Sequence, residues 1–385
     1  MEKRWLVVLV LLGFLLAACA EVAPVRPTPS VVEGEPDPTS GMFFSANVQR
    51  TGVYEGRDLK LPEEPAWQFQ TGEWVFTAPA IAGGMVYFGS YDNNLYAVAA
   101  ADGSEAWRFS TGDIIISSPA VLGERVYFGS HDGNVYALDS GTGQEVWRFE
   151  TDGAVSASPA VVGGKVIVGS EDGFLYALNA VDGSVAWRAD FKSPIIFEAA
   201  VADGSVYVAS SDGVLGVLEL ATGKLLWQFD LPLGSTASAG PVIADDAVYV
   251  LMTNANLVGV LYAIDIPNQL ERWFLELPVE TYVSPAVSGK LVFLAGMDGV
   301  LRAIETNTGK ERWTVEMTEP VFSSPAIAGH SLYIGGWGDQ SLYSVDIRNG
   351  RVQWQMPLGS GVSSPAVNGD TVYVGTEDGK LNALR

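Results

Sequence analysis

The sequence is poor in the residues from which most catalytic and metal centres are built. Cys19 is the only cysteine in 385 residues, so no intrachain disulfide can form and no C-x-x-C pair exists to hold a structural zinc or a covalent haem. His131 and His330 are the only imidazoles. Neither a G-x-S-x-G elbow nor an H-E-x-x-H helix occurs, which leaves hydrolytic chemistry without a starting constellation. Cationic side chains are also few: 22 Lys and Arg stand against 45 Asp and Glu, a formal net charge of −23. That balance argues against nucleic acid and anionic headgroups as direct partners, because both need phosphate neutralised. An apolar run from Trp5 to Leu16 is too short to span a bilayer.

Glycine, tryptophan and internal repetition are what the chain does have. It holds 43 glycines and is 48% hydrophobic, as expected for short strands joined by tight turns around an ample core. Eight tryptophans, Trp67, Trp107, Trp147, Trp187, Trp227, Trp273, Trp313 and Trp354, follow one another at intervals of 40, 40, 40, 40, 46, 40 and 41 residues. A period of about 40 with four strand-like pieces per unit predicts a β-propeller rather than a helical solenoid. In the clearest copy, Ser117 to Phe149, SSPAV reads as a short innermost strand and ERVYFGS as a second. Asp132-Gly133 is expected to make a type I′ turn into NVYALD, and Gly141-Thr142-Gly143 to turn into the outer strand EVWRFET.

Ala137-Leu138-Asp139-Ser140-Gly141-Thr142-Gly143-Gln144-Glu145-Val146-Trp147 resembles the tryptophan-docking motif A-x-D-x-x-x-G-x-x-x-W of PQQ-like β-propellers. That family includes quinoprotein dehydrogenases and, without cofactor, the BamB-type lipoproteins of outer-membrane β-barrel assembly. The motif glycine recurs four residues before tryptophan at Gly103, Gly143, Gly183, Gly223, Gly309 and Gly350, and fails at Gln269. The Gln49-Arg50-Thr51-Gly52-Val53-Tyr54 stretch is similar to the lead-in that precedes the first blade of many such proteins. It is expected across the outside or bottom of the ring.

Inner-strand segments around Pro79, Pro119, Pro159, Ala199, Pro241, Pro285, Pro325 and Pro365 make eight units. The last stops at Arg385 after three strands, while the strand of Trp67 has no blade of its own. The expected fold is therefore an all-β, eight-bladed propeller of four-stranded antiparallel blades, its ring closed by the Trp67 strand as the outer strand of the last blade. The eight tryptophans are expected to dock between blades, each over its motif glycine. Blade five carries an insertion, LMTNANLVGVLYAI, and blade seven a longer loop with Trp337.

Domain organisation is read as a signal peptide over 1–18, a Pro-rich disordered tether over 19–41, a lead-in over 42–65 and the propeller over 66–385. Leu16-Ala17-Ala18-Cys19 resembles a bacterial lipobox, which implies cleavage before Cys19, lipidation of its thiol and export to the cell envelope. Ala20 is not the Asp that such systems use for inner-membrane retention.

Candidate functional residues are few. Asp92, Asp132, Asp172, Asp212, Asp298 and Asp378 recur at one turn position and read as turn formers, too dispersed to converge on a cation. The two histidines fall in turns on opposite faces. No metal site is assigned. The resembled dehydrogenases hold their quinone under a vicinal disulfide beside calcium, and the disulfide is impossible here. No cofactor is therefore assigned, and PQQ stays an alternative. Loops entering each inner strand carry Trp74, Phe76, Ile114, Ile116, Ile196, Phe197, Tyr282 and Phe322, which with Trp337 form a candidate interaction rim. The competing reading turns these side chains inward, and it is preferred for the middle positions Val75, Ile115, Val155, Ile195 and Val321. The functional expectation is a monomeric, membrane-anchored, non-enzymatic scaffold for an unidentified protein partner. A PQQ-dependent alcohol or sugar dehydrogenase and a cell-surface ligand sensor are the alternatives.

Overall fold

The computed structural model describes residues 47, 49–232, 234–318 and 320–385. Cys19, the leader, the tether and the start of the lead-in fall outside these residues. Among those described, strands fold into eight antiparallel sheets and no helix occurs. The alternation in each unit explains why. In Arg125–Gly129 and Asn134–Asp139 the four central positions are buried on both faces, while Glu145–Glu150 alternates exposed and buried residues, as inner and outer strands of a stacked blade must.

Each inner strand touches the next, and that of the last blade touches that of the first, so the ring is closed. Closure follows the expected route: Trp67–Gln70 pairs with Lys380–Leu384 in the register Trp67↔Ala383 to Gln70↔Lys380. Seven blades have four strands. Blade five has five, because Thr236–Ala237 adds to the hairpin of Ala247–Thr253 and Gly259–Asp265. The blade-five insertion thus lengthens both hairpin strands to seven residues.

Two local expectations are corrected. Ser130 to Gly133 form a four-residue loop closed by Gly133 N–H on Ser130 O at 3.2 Å. Only Gly133 has positive φ there, whereas a type I′ turn needs it at both central residues. Six of the eight tryptophan rings pack on the glycine of the following blade's motif, not their own: Trp107 lies under Gly143, where a Cβ would come within 2.6 Å of the indole and φ is +69°. Seven of the eight indoles donate Nε1–H to a backbone carbonyl at 2.7–3.2 Å. Trp354 reaches Leu59 of the lead-in, since blade eight has no turn of its own to its outer strand.

Trp227 has Gln269 rather than glycine at the following motif position, which keeps the left-handed backbone (φ +57°) but adds a side chain. It is half-buried and stands edge-on to Tyr207 at 78°. The docked rings tilt at 41–49° against the corresponding aromatics.

The lead-in takes the bottom position and laces the ring from inside. The amides of Ile243, Val287 and Ile327 donate to the carbonyls of Gln49, Thr51 and Gly52. Tyr54 and Arg57 donate to Ile327 and Gly369. One strap thereby joins the inner strands of blades five to eight.

Candidate functional site

The inner strands begin with hydroxyls at Ser118, Ser158, Ser284, Ser324 and Ser364, with Ala78 at the first position. Ala78 N–H donates to Ser118 Oγ, Ser118 to Ser158, Ser284 to Ser324 and Ser324 to Ser364, all at 2.9–3.0 Å. At the fourth and fifth positions the pattern changes to Glu198 and Gly240. Ser284 Oγ donates to Glu198 Oε1 at 2.7 Å, reaching past blade five. Gly240 makes room for this contact, because a Cβ there would lie 2.6 Å from both Cδ and the carbonyl oxygen of Glu198.

The strap's Arg50, wholly buried, donates to the carbonyls of Ser158, Pro159 and Ala199 at 3.2 Å. Burial lowers its pKa to about 10, opposed by the charge of Glu198 and then Tyr54.

The loops into the inner strands and those between second and third strands line the mouth. Blades seven, eight and one carry an arc of five rings. Trp337 lies 6.1 Å from Trp74, 6.2 Å from Phe76 and 5.5 Å from Phe322 between centroids, and Tyr91 lies 5.5 Å from Trp74. Trp337 rests on Gly361. All five are partly exposed. Tyr91 was missed from sequence. Its signal was an aromatic at the turn position that holds His131, Glu171 and Ser211 in the next three blades.

The remaining rim residues do not join the arc. Phe197 packs against the core between blades four and five. Tyr282 donates to Glu280 at 2.6 Å, and Ile114, Ile116 and Ile196 lie half-buried in other loops. The middle positions Val75, Ile115, Val155, Ile195 and Val321 are all buried.

Polar groups at the mouth are committed to local structure. Asp92, Asp132 and Asp172 each accept the hydroxyl of the tyrosine four residues on at 2.7 Å and the amide two residues on. Burial works against the charge of Asp132, yet the hydrogen bonds from Tyr136, Gly112 and Asn134 hold its pKa below the usual range. His131 Nε2 lies 3.0 Å from Ser156 Oγ, whose proton goes to Glu171 at 2.7 Å. The imidazole is then the donor, the reverse of what a serine nucleophile needs. His330 sits by the strap, 3.8 Å from Asp58. Among the described residues, no three His, Cys, Asp or Glu side chains converge to hold a metal.

Residues 62–335 match the family described as the beta-propeller of the beta-alanine-activating enzyme. The chain belongs to this family of PQQ-like β-propellers. Among solved structures, this propeller is similar to BamB from Moraxella catarrhalis at 19% identity, with 83% of this chain and 97% of that one covered and a TM-score of 0.70. It is similar to a europium-containing methanol dehydrogenase at 16% identity, with coverage of 88% and 89% and a TM-score of 0.74. A quinohemoprotein alcohol dehydrogenase from Comamonas testosteroni matches at 16% identity, with coverage of 90% and 80% and a TM-score of 0.75. At these identities the likeness establishes the shared fold. No curated protein matches the propeller.

Proposed function

We propose that this propeller is a non-catalytic scaffold, exported and lipid-anchored at Cys19 to the cell envelope, that recruits a protein partner through the aromatic arc at its mouth. The observation that carries the reading is the arc itself. Phe76, Trp74, Tyr91, Phe322 and Trp337 form one partly exposed aromatic surface on three adjacent blades. Clustered aromatics of this kind are the side chains that anchor protein interfaces. The likeness to BamB supports it. A photo-crosslinking residue at Phe76, in cells making the full chain, is expected to capture a discrete partner, and one at Val181, which is 83% exposed on an outer turn, none. Identical capture from both positions, or none from Phe76, would overturn the scaffold.

The second reading, a PQQ-dependent dehydrogenase of alcohols or sugars, rests on the equally similar dehydrogenase folds. The residues fit it poorly. Cys19 alone cannot make the disulfide, and the mouth aspartates spend their oxygens on their own blades. Titration with PQQ and Ca²⁺, followed by tryptophan fluorescence and dye-linked oxidation, decides the matter. Saturable micromolar binding with turnover would replace the scaffold reading.

A further inference from the structure

The repeat supplies its own control for blade five. One residue after the docking tryptophan, the outer strand carries Arg108, Arg148 and Arg188 in blades one to three, and Gln or Thr in all others except blade five. These arginines are bound within their own blade. Arg108 Nε lies 2.9 Å from Glu105 and its guanidinium is over the Tyr96 ring at 5.6 Å. Arg148 lies 3.6 Å from Glu145, and Arg188 lies over Phe174 at 4.7 Å.

Blade five keeps the glutamate, as Glu271, and the tyrosine, as Tyr262, but replaces the arginine with Phe274. Phe274 is 53% exposed and lies 6.0 Å from the Tyr262 ring. Leu270, three residues before the tryptophan where every other copy is polar or charged, is 64% exposed.

The lost arginine leaves its partners vacant. Among the described residues, Glu271 and Glu276 make no side-chain hydrogen bond or ion pair, and both act on the Tyr262 hydroxyl, whose pKa burial and then these charges push up. The nearest cation in sequence, Arg272, is spent on Asp265 at 2.7 Å and Asp246 at 2.9 Å. The insertion also removed the turn aspartate, so among the described residues the Tyr262 hydroxyl has no hydrogen-bond partner, whereas its counterparts in blades one to three each have one. Tyr262, Phe274, Glu271 and Glu276, with Pro232 and Asn254 of the neighbouring loops, line a cavity of about 260 Å³. That is below the roughly 300–1,000 Å³ of small-molecule sites and suits a single large side chain.

We propose that the flank of blade five takes in trans the arginine its siblings carry in cis: an Arg side chain of a partner polypeptide, with apolar neighbours lying on Leu270 and Phe274. The guanidinium meets two unpaired carboxylates, a free tyrosine hydroxyl and an aromatic face, a combination that favours Arg over a neutral isostere. This surface is separate from the aromatic arc and does not depend on it.

The test uses the full-length protein and a fluorescein-labelled Gly-Leu-Arg-Leu-Gly peptide, with its citrulline counterpart as the uncharged isostere, read by anisotropy. The arginine peptide is expected to bind saturably and the citrulline peptide about ten-fold more weakly or worse. F274R installs the residue that three sibling blades already tolerate and should abolish binding while leaving the urea midpoint near wild type. E271Q combined with E276Q should weaken binding by a similar factor, and F76S in the arc should leave it unchanged. Equal binding of the two peptides, undiminished binding by F274R, or no saturation at millimolar peptide would overturn the assignment. Loss of binding in F76S would place the peptide on the arc and overturn it equally.

Discussion

Replacing Gly240 by alanine puts a methyl group where the structure has no space. Its Cβ would sit 2.6 Å from the Glu198 carbonyl oxygen and Cδ and 2.7 Å from Oε1. The carbonyl belongs to the chain just before the Ala200–Ala202 strand and cannot move far, so the carboxylate must leave Ser284. Overpacking a filled site costs about 1–3 kcal/mol. Losing a buried hydrogen bond to a charged group costs about 1.5–3 kcal/mol. Gly240→Ala is therefore expected to destabilise by about 3–5 kcal/mol, measured by urea unfolding followed by tryptophan fluorescence. Glu198→Ser should itself cost about 1.5–3 kcal/mol, because Arg50 loses its nearby carboxylate. In the double variant with Gly240→Ser the serine pattern runs on from Ser158 to Ser284, so the two changes should cost at least about 1 kcal/mol less than their sum. Strict additivity, or a Gly240→Ala loss below about 1 kcal/mol, would refute the account.

Trp147→Ala should cost about 3–5 kcal/mol, since the ring is buried, bonded to Ala180 O and wedged against Gly183. Trp227→Ala should cost roughly half as much, because less area is buried. Gln269→Gly is expected to raise stability by about 1 kcal/mol by relieving its left-handed backbone, and to shift Trp227 emission to shorter wavelength as the ring settles inward. Asp346 has its pKa lowered to about 2, chiefly by Arg348, whose Nη2 lies 2.6 Å away. Because the folded pKa lies below the unfolded value of about 3.9, the stabilisation is complete above pH 4 and lost as pH falls toward 2. Denaturation midpoints of the wild type should therefore drop more steeply over that interval than those of Asp346→Asn.

Repetition made the fold legible: eight tryptophans in register gave the blade count, and the unpartnered strand at Trp67 gave the closure. Features that occur once were not legible. The strap could be placed only loosely because its partners are carbonyls and amides of four different blades, which side-chain patterns do not report. Glu198 and Gly240 lie 42 residues apart, and only their juxtaposition shows one making room for the other. The arc was half visible: Trp74, Phe76, Phe322 and Trp337 stood out as aromatics in mouth loops. Which loops meet depends on blade order around the ring, and that separated them from Phe197 and Tyr282.

The pairing of Trp67–Gln70 with Lys380–Leu384 has a kinetic consequence. More than 300 residues separate the two strands, so their contact is among the last that a growing or emerging chain can make. Until then, both ends present unpaired sheet edges open to trespass by other chains. A clip in the final few residues would leave nearly every blade intact yet release the fastener, turning a sealed circle into an arc with two sticky margins.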